Sequence, residues 1–261
     1  MPSLRIQHAG LLLLLMLFFD PAIRSITHSH PIQAPNGIAS HDSILTSTPT
    51  TNDDDEAEIL MRVKAGLDPD GRILHSWFVP GGSFDGVSWN QYGRVANISL
   101  QGKGLYGFIP SSIAELTSLS GLYLHYNHLS GPVPAVLYKL SGLTELRLYS
   151  NSLSGSIPSD LRSFKELQIL DLSTNAFYGD IPLHFPPMAI SISLKNNRLS
   201  GEFSQAHVKG LSPLLNVLDL SGNNLSGPVD ISLFKHPSLQ QLNLSYNAFT
   251  DIADGSEDST R

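Results

Sequence analysis

Residues 117–140 read TSLSGLYLHYNHLSGPVPAVLYKL, and residues 141–164 read SGLTELRLYSNSLSGSIPSDLRSF. Both spell L-x-x-L-x-L-x-x-N-x-L-S-G-x-[V/I]-P. The Asn of that motif falls at Asn127, Asn151, Asn175, Asn197, Asn223 and Asn247, at intervals of 24, 24, 22, 26 and 24 residues. One period before Asn127 the place is held by Lys103, inside an otherwise matching unit. About seven units therefore lie between residues 93 and 250, the last one truncated. Self-similarity at a fixed period is the signature of a stacked solenoid, in which each unit is one supersecondary element.

The chemistry of one unit predicts its shape. Leu122/Leu124, Leu146/Leu148, Leu170/Leu172, Leu218/Leu220 and Leu242/Leu244 alternate with polar residues just before each Asn. Period-two alternation makes a short strand with one buried face. The Asn amide is there to bond backbone groups that the following turn leaves unpaired, so stacked Asn residues should form a ladder between coils. Lys103 cannot accept a hydrogen bond, so the first coil must satisfy its turn otherwise. The L-S-G-x-I-P segment is expected to turn at Gly, with Pro110, Pro134, Pro158 and Pro182 ending any strand. One unit cannot hide its apolar side, but a stack can. Seven strands about 4.8 Å apart give a parallel sheet roughly 30 Å across, lining the inner side of an arc: an α/β repeat solenoid. The 22-residue and 26-residue units, around Phe185–Met188 and Ser204–Lys209, predict an irregularity on the outer side.

The flanks read differently. The chain of 261 residues carries 16 Lys plus Arg against 23 Asp plus Glu, a net charge of -7. Residues 93–250 are nearly balanced, with 10 basic and 9 acidic residues, so the acidity sits outside, in Asp53–Glu58 and Asp251–Asp258. No basic stripe exists to displace counterions, which excludes nucleic acid as the partner. Arg5 precedes the nine apolar residues Leu11–Phe19, the length of a secretory h-region and too short to span a bilayer. Residues 1–25 are read as a signal peptide, and the mature chain as secreted. Residues 26–53 are polar and aperiodic, a disordered linker in which His28 and His30 have no fixed co-ligands. Ile59, Leu60, Val63 and Leu67 recur at helical spacing behind an acidic start that suits the helix dipole. Asp68-Pro69-Asp70-Gly71 ends that helix. Residues 54–92 thus form an N-terminal cap, 93–250 the repeats and 251–261 an acidic tail. With no cysteine anywhere, stability comes from packing alone.

These motifs resemble the plant-type leucine-rich repeat of the ectodomains of plant receptor-like kinases and receptor-like proteins. Val95–Leu105 and Gly121–Asn127 look like one receptor-kinase subgroup. The cap is similar to that family's as well: Glu58, Leu60, Val63-Lys64, Leu67-Asp68-Pro69, Leu74, Trp77, then Gly86-Val87-Ser88 and Gly93-Arg94-Val95. The resemblance spans residues 54–250. It implies an extracellular recognition module that binds a peptide or a protein, such as a receptor-kinase ectodomain, in cell-surface signalling. Two alternatives stay open: an inhibitor of a secreted cell-wall-degrading enzyme, and a truncated receptor-kinase copy. A fragment of a longer receptor would sit at the plasma membrane. The family's cap disulfide has no counterpart here. Its second cysteine would fall at Trp89 and its first near Pro80 to Gly82.

Catalytic spacing is absent from the sequence. Gly102-Lys103-Gly104-Leu105-Tyr106-Gly107 spells G-x-G-x-x-G, yet Phe108-Ile109-Pro110 follows where a dinucleotide site needs a helix. No triad, zincin or Walker spacing occurs. We therefore expect no enzyme, no cofactor and no metal. Function falls instead to the inner face, at positions two, four and six before each Asn, with neighbours about 5 Å apart. Tyr123, His125, Tyr126, Glu145, Arg147, Tyr149 and Asp171 occupy adjacent coils there, with Lys195 one coil further. Tyr and Arg dominate binding hot spots, which makes these eight the ligand-binding candidates. The competing reading is a solvated sheet on which Arg147 pairs with Asp171 or Glu145. Sequons at Asn97, Asn224 and Asn243 fit glycosylation on an exported route.

Overall fold

A computed structural model describes residues 52–253. The expected signal peptide and most of the linker lie outside these residues, as does the tail beyond Ala253. Helix α1 (Asn52–Leu67) opens the described chain. Strands follow as β1 (Val87–Trp89), β2 (Val95–Ser99), β3 (Gly121–Tyr123), β4 (Ser130–Pro132), β5 (Glu145–Arg147), β6 (Ser152–Ser156) and β7 (Ile169–Asp171). Then come β8 (Ala176–Asp180), β9 (Ser191–Ser193), β10 (Arg198–Glu202), helix α2 (Gln205–Lys209), β11 (Val217–Asp219), β12 (Asn224–Asp230), β13 (Gln241–Asn243) and β14 (Ala248–Ala253).

The strands sort into two sheets. The concave sheet runs β1-β2-β3-β5-β7-β9-β11-β13. All its pairs are parallel except β1 with β2, which is antiparallel. The expected seven-strand parallel sheet is present, extended by one strand from the cap. Ile98, Leu122, Leu146, Leu170, Ile192, Leu218 and Leu242 are in register, and all but Leu242 are at most 1% exposed. This stack is the spine of one continuous core running from α1 to the last coil.

The second sheet, β14-β12-β10-β8-β6-β4, corrects the expectation of a bare turn after each Asn. The L-S-G-x stretch also alternates. Leu129, Leu153, Phe177, Leu199 and Leu225 are fully buried, while their neighbours face outward. Glycine supplies the left-handed φ that follows, as at Gly155 with φ 91°. Backbone groups there need partners, and the next coil provides them. For the same reason the last strand runs on through Ala253, three residues into the stretch assigned to the tail.

The Asn ladder forms as its chemistry requires. Asn151 Nδ2 donates to Leu124 O at 2.9 Å and to Leu148 O at 3.0 Å, and its Oδ1 accepts Leu129 N at 3.0 Å. Asn127, Asn175, Asn197, Asn223 and Asn247 repeat the pattern. At the first coil, Asn127 reaches back to Leu100 O and Leu105 N, so Lys103 is free to face solvent. On the outer side, 3-10 turns at Ser111–Glu115, Ala135–Lys139 and Ile231–Lys235 give way to α2 in the lengthened unit, where the spacing predicts an irregularity.

In the cap, α1 buries Leu60, Val63 and Leu67 against the first coil. Glu56, 1% exposed, accepts from Arg94 Nε and Val95 N. Trp77 Nε1 donates to Asp85 O at 2.9 Å. Phe84 sits edge-on between Trp77 and Trp89, with centroids 5.8 and 6.3 Å away.

Candidate functional site

The concave register sets the side chains of the candidate patch. Ser99, Tyr123, Arg147, Asp171, Ser193, Asp219 and Asn243 are successive partners across the sheet. Their column is only partly exposed, because each side chain leans on those of the coils beside it.

His125 and Tyr149 stack, with centroids 4.4 Å apart and planes 17° from parallel. Tyr126 closes the group edge-on, 5.0 Å from Tyr149 at 79° and 5.6 Å from His125 at 63°. Tyr126 can do so because its backbone is left-handed, φ 56°. The same holds immediately before the other ladder positions, at Gly102, Ser150, Thr174, Asn196, Gly222 and Tyr246. The turn between the two sheets demands this conformation in every coil. The sequence reading missed that requirement, although the glycines at 102 and 222 are its trace.

Beside the aromatic group, Arg147 Nε donates to Glu145 Oε2 at 3.0 Å. Of the two partners foreseen for Arg147, the carboxylate on its own strand takes it. Asp171 instead turns to Ser173, accepting from its N at 3.0 Å and its Oγ at 2.7 Å. Burial first, and then the Glu145 carboxylate, raise the Tyr123 hydroxyl above its ordinary range. Burial, and then the Arg147 charge, hold the His125 imidazole below 6.5. His125 Nδ1 is buried with no hydrogen-bond partner among the described residues. Tyr149 is raised by burial and by Tyr126.

Six of the eight candidates thus form one surface: Tyr123, His125, Tyr126, Glu145, Arg147 and Tyr149. Asp171 borders it on the next coil. Lys195 stands apart, exposed one coil further and in no ion pair among the described residues. Chemically the surface is an aromatic shelf with one internally neutralised Arg–Glu pair, suited to holding an extended chain by stacking and hydrogen bonds. Among the described residues there is no cluster of metal-ligating side chains.

The sequons differ in setting. Asn97 Nδ2 donates to Ser88 Oγ at 2.9 Å. Asn243 Oδ1 accepts from Ser245 N and Oγ at 3.2 and 2.8 Å. Asn224 is exposed on β12.

A stack of such coils, with a parallel concave sheet and an Asn ladder, is a leucine-rich-repeat solenoid. The Leucine Rich Repeat model matches residues 142–164 and 214–235. Receptor-like protein kinase 7 of Arabidopsis thaliana is 36% identical over 82 residues, which are 29% of this chain and 8% of that protein. A chain of the BIR3–SERK2 complex from Arabidopsis thaliana is 32% identical with a TM-score of 0.55, over 66% of this chain and 95% of that one. The Arabidopsis receptor kinase HAESA, solved with the peptide hormone IDA and the co-receptor SERK1, gives 27% identity and a TM-score of 0.58 over 77% of this chain and 38% of that structure. The chain belongs to the plant-type leucine-rich-repeat proteins. It spans less than a tenth of the curated relative it matches.

Proposed function

We propose that this chain is an extracellular recognition module that binds a peptide or protein on its concave face in plant cell-surface signalling. The observation that carries the reading is the His125–Tyr149 stack closed by Tyr126 beside the Arg147–Glu145 pair. Rigid aromatic area with an adjacent Arg is what hot spots are made of. Elsewhere the concave columns are mostly small and polar, as at Ser193, Ser221 and Ser245.

Two relatives support the reading. HAESA was solved holding a peptide hormone and a co-receptor, and the matched chain of the BIR3–SERK2 complex was solved against a protein partner. Tyr123, His125, Tyr126, Glu145, Arg147 and Tyr149 make the contact. Asp171 and Lys195 select charge at its far end. The module works by binding and not by catalysis, needs no cofactor, and reaches the cell surface through the export signal at Leu11–Phe19. Glycans at Asn97, Asn224 and Asn243 leave the aromatic centre open.

The test is capture from plant extracellular fluid, followed by affinity measurement on the partner retrieved. Arg147→Ala with Tyr149→Ala should weaken that affinity by two orders of magnitude or more, since two hot-spot truncations cost about 2 kcal/mol each. Unchanged affinity in the double variant rejects the concave patch as the binding surface.

A further inference from the structure

The flank sheet presents a second surface, separate from the concave patch. Residues one, three and five after each ladder Asn point outward from it, above the buried Leu or Phe between them. From the first coil as far as Tyr178, none of these positions holds Asp, Glu, Lys or Arg. Charge begins only at Asp180, followed by Arg198 and Glu202.

This uncharged stretch is also flat. A Cβ placed on Gly131 would lie 4.0 Å from Phe108 Cβ, one on Gly155 would lie 3.2 Å from Pro132 Cβ, and one on Gly179 would lie 3.8 Å from Ser156 Cβ. Each coil's outermost residue therefore covers the glycine of the next coil, and no ridge rises between coils. Two rings stand on this floor three coils apart and offset along the strands, Phe108 level with Ser152 and Tyr178 level with Ser156, so that at about 4.8 Å per coil and about 3.3 Å per residue they lie roughly 19 Å apart on a diagonal. Phe108 is 52% exposed and Tyr178 is 55% exposed. Serine hydroxyls, such as Ser130 and Ser154, lie between them.

An occupant that matches this face must be extended, uncharged, flat on one side and rich in hydroxyls at its edges. An acidic polysaccharide or a charged peptide finds no countercharge here, whereas a neutral ligand forfeits no ionic solvation on docking. The pyranose rings of a neutral β-1,4-linked glucan have these properties. They offer a C–H face to the aromatic rings and equatorial hydroxyls to serine. We propose that the flank sheet, from Phe108 to Tyr178, binds a neutral β-1,4-linked glucan chain laid across the first four coils.

Calorimetry on the full chain with cellohexaose, against a hexameric oligogalacturonate, tests this. Cellohexaose should bind and the oligogalacturonate should not. Tyr178→Ala and Phe108→Ala should each weaken binding by about tenfold or more, while Tyr178→Phe retains it. The Arg147→Ala/Tyr149→Ala variant should bind cellohexaose like the parent, which separates this face from the concave one. Absence of cellohexaose binding, undiminished binding in both alanine variants, or equal binding of the oligogalacturonate overturns the proposal.

Discussion

Tyr126 and Tyr149 sit on adjacent coils and meet edge to face, ring centroids 5.0 Å apart. One ring comes from a left-handed turn residue and the other from the position just past a concave strand, so the contact bridges the rim and the floor of the concave face. Aromatic pairs of this geometry couple by about 0.5–1.5 kcal/mol beyond their buried area. A double-mutant cycle on unfolding free energy, using Tyr126→Ala, Tyr149→Ala and the pair, should return a coupling in that range. Strict additivity would show that the two rings do not support each other.

The ladder asparagines stand at fold-level stakes. Asn175 Nδ2 donates to Leu148 O, Leu172 O and Ser173 O, and its Oδ1 accepts Leu153 N. Asn175→Leu leaves Leu153 N without its acceptor in the core, while Leu148 O, Leu172 O and Ser173 O each keep a second donor in Asn151, Asn197 and Ser150, so urea unfolding should show a loss of about 1–3 kcal/mol. Lys103→Asn is the control. Asn127 already serves Leu100 O and Leu105 N, so a new Asn at 103 gains no orphaned partner and stability should move by under about 0.5 kcal/mol.

The left-handed column offers a stabilising change. Thr174 has φ 53°, where a β-branched residue is least at ease. Asparagine tolerates this region, and Asn196 already fills the equivalent place one coil on. Thr174→Asn should stabilise the protein by about 1 kcal/mol, read as a higher urea midpoint at unchanged slope. A lower midpoint would mean that Thr174 makes a contact worth more than its strain.

What the sequence disclosed follows from which forces leave a periodic mark. Burial of Leu122, Leu146 and Leu170 and the amide bonding of the asparagines recur every coil, so strand register and the concave columns were legible from spacing alone. The second sheet was not. Its alternation is masked by the Ser-Gly pair, which reads as turn chemistry until a neighbouring coil supplies hydrogen-bond partners. The site was half legible. Positions came from register, but whether Arg147 pairs with Glu145 or Asp171 is decided by rotamers, and the His125–Tyr149 stack by side-chain packing across coils.

The cap should be the first part to open. No cysteine ties it, and β1 attaches through a single antiparallel neighbour and the Trp77–Phe84–Trp89 edge contacts. Native-state hydrogen exchange should show weaker protection at Val87–Trp89 than at Glu145–Arg147. Phe84 is 7% exposed, so Phe84→Ala should cost about 3 kcal/mol and widen that gap. Equal protection in the two strands would show that the aromatic trio holds the cap as firmly as the repeats hold each other.

Acid should loosen the repeats through two histidines. His125 is pressed below its ordinary 6.5 by burial and by Arg147, with Asp171 opposing. His207 is pressed down by burial, with Asp180 opposing, and its Nδ1 accepts Ser204 N at 3.1 Å to cap α2. In both cases the folded state holds the neutral ring and the unfolded chain takes the proton first as pH falls. The stability they contribute is therefore complete above about pH 6.5 and is lost as pH drops toward their folded values. Asp230, lowered by its bonds to Ser232, acts in the same direction but only near and below its ordinary 3.8, so the two windows separate. Unfolding free energy measured from pH 7.5 to 5 should decline. His207→Gln, which keeps an acceptor three residues after Ser204, should remove part of that slope. His125→Phe, which keeps a ring against Tyr149, should remove most of the remainder. A double variant with the parent's slope would place the acid sensitivity elsewhere in the chain.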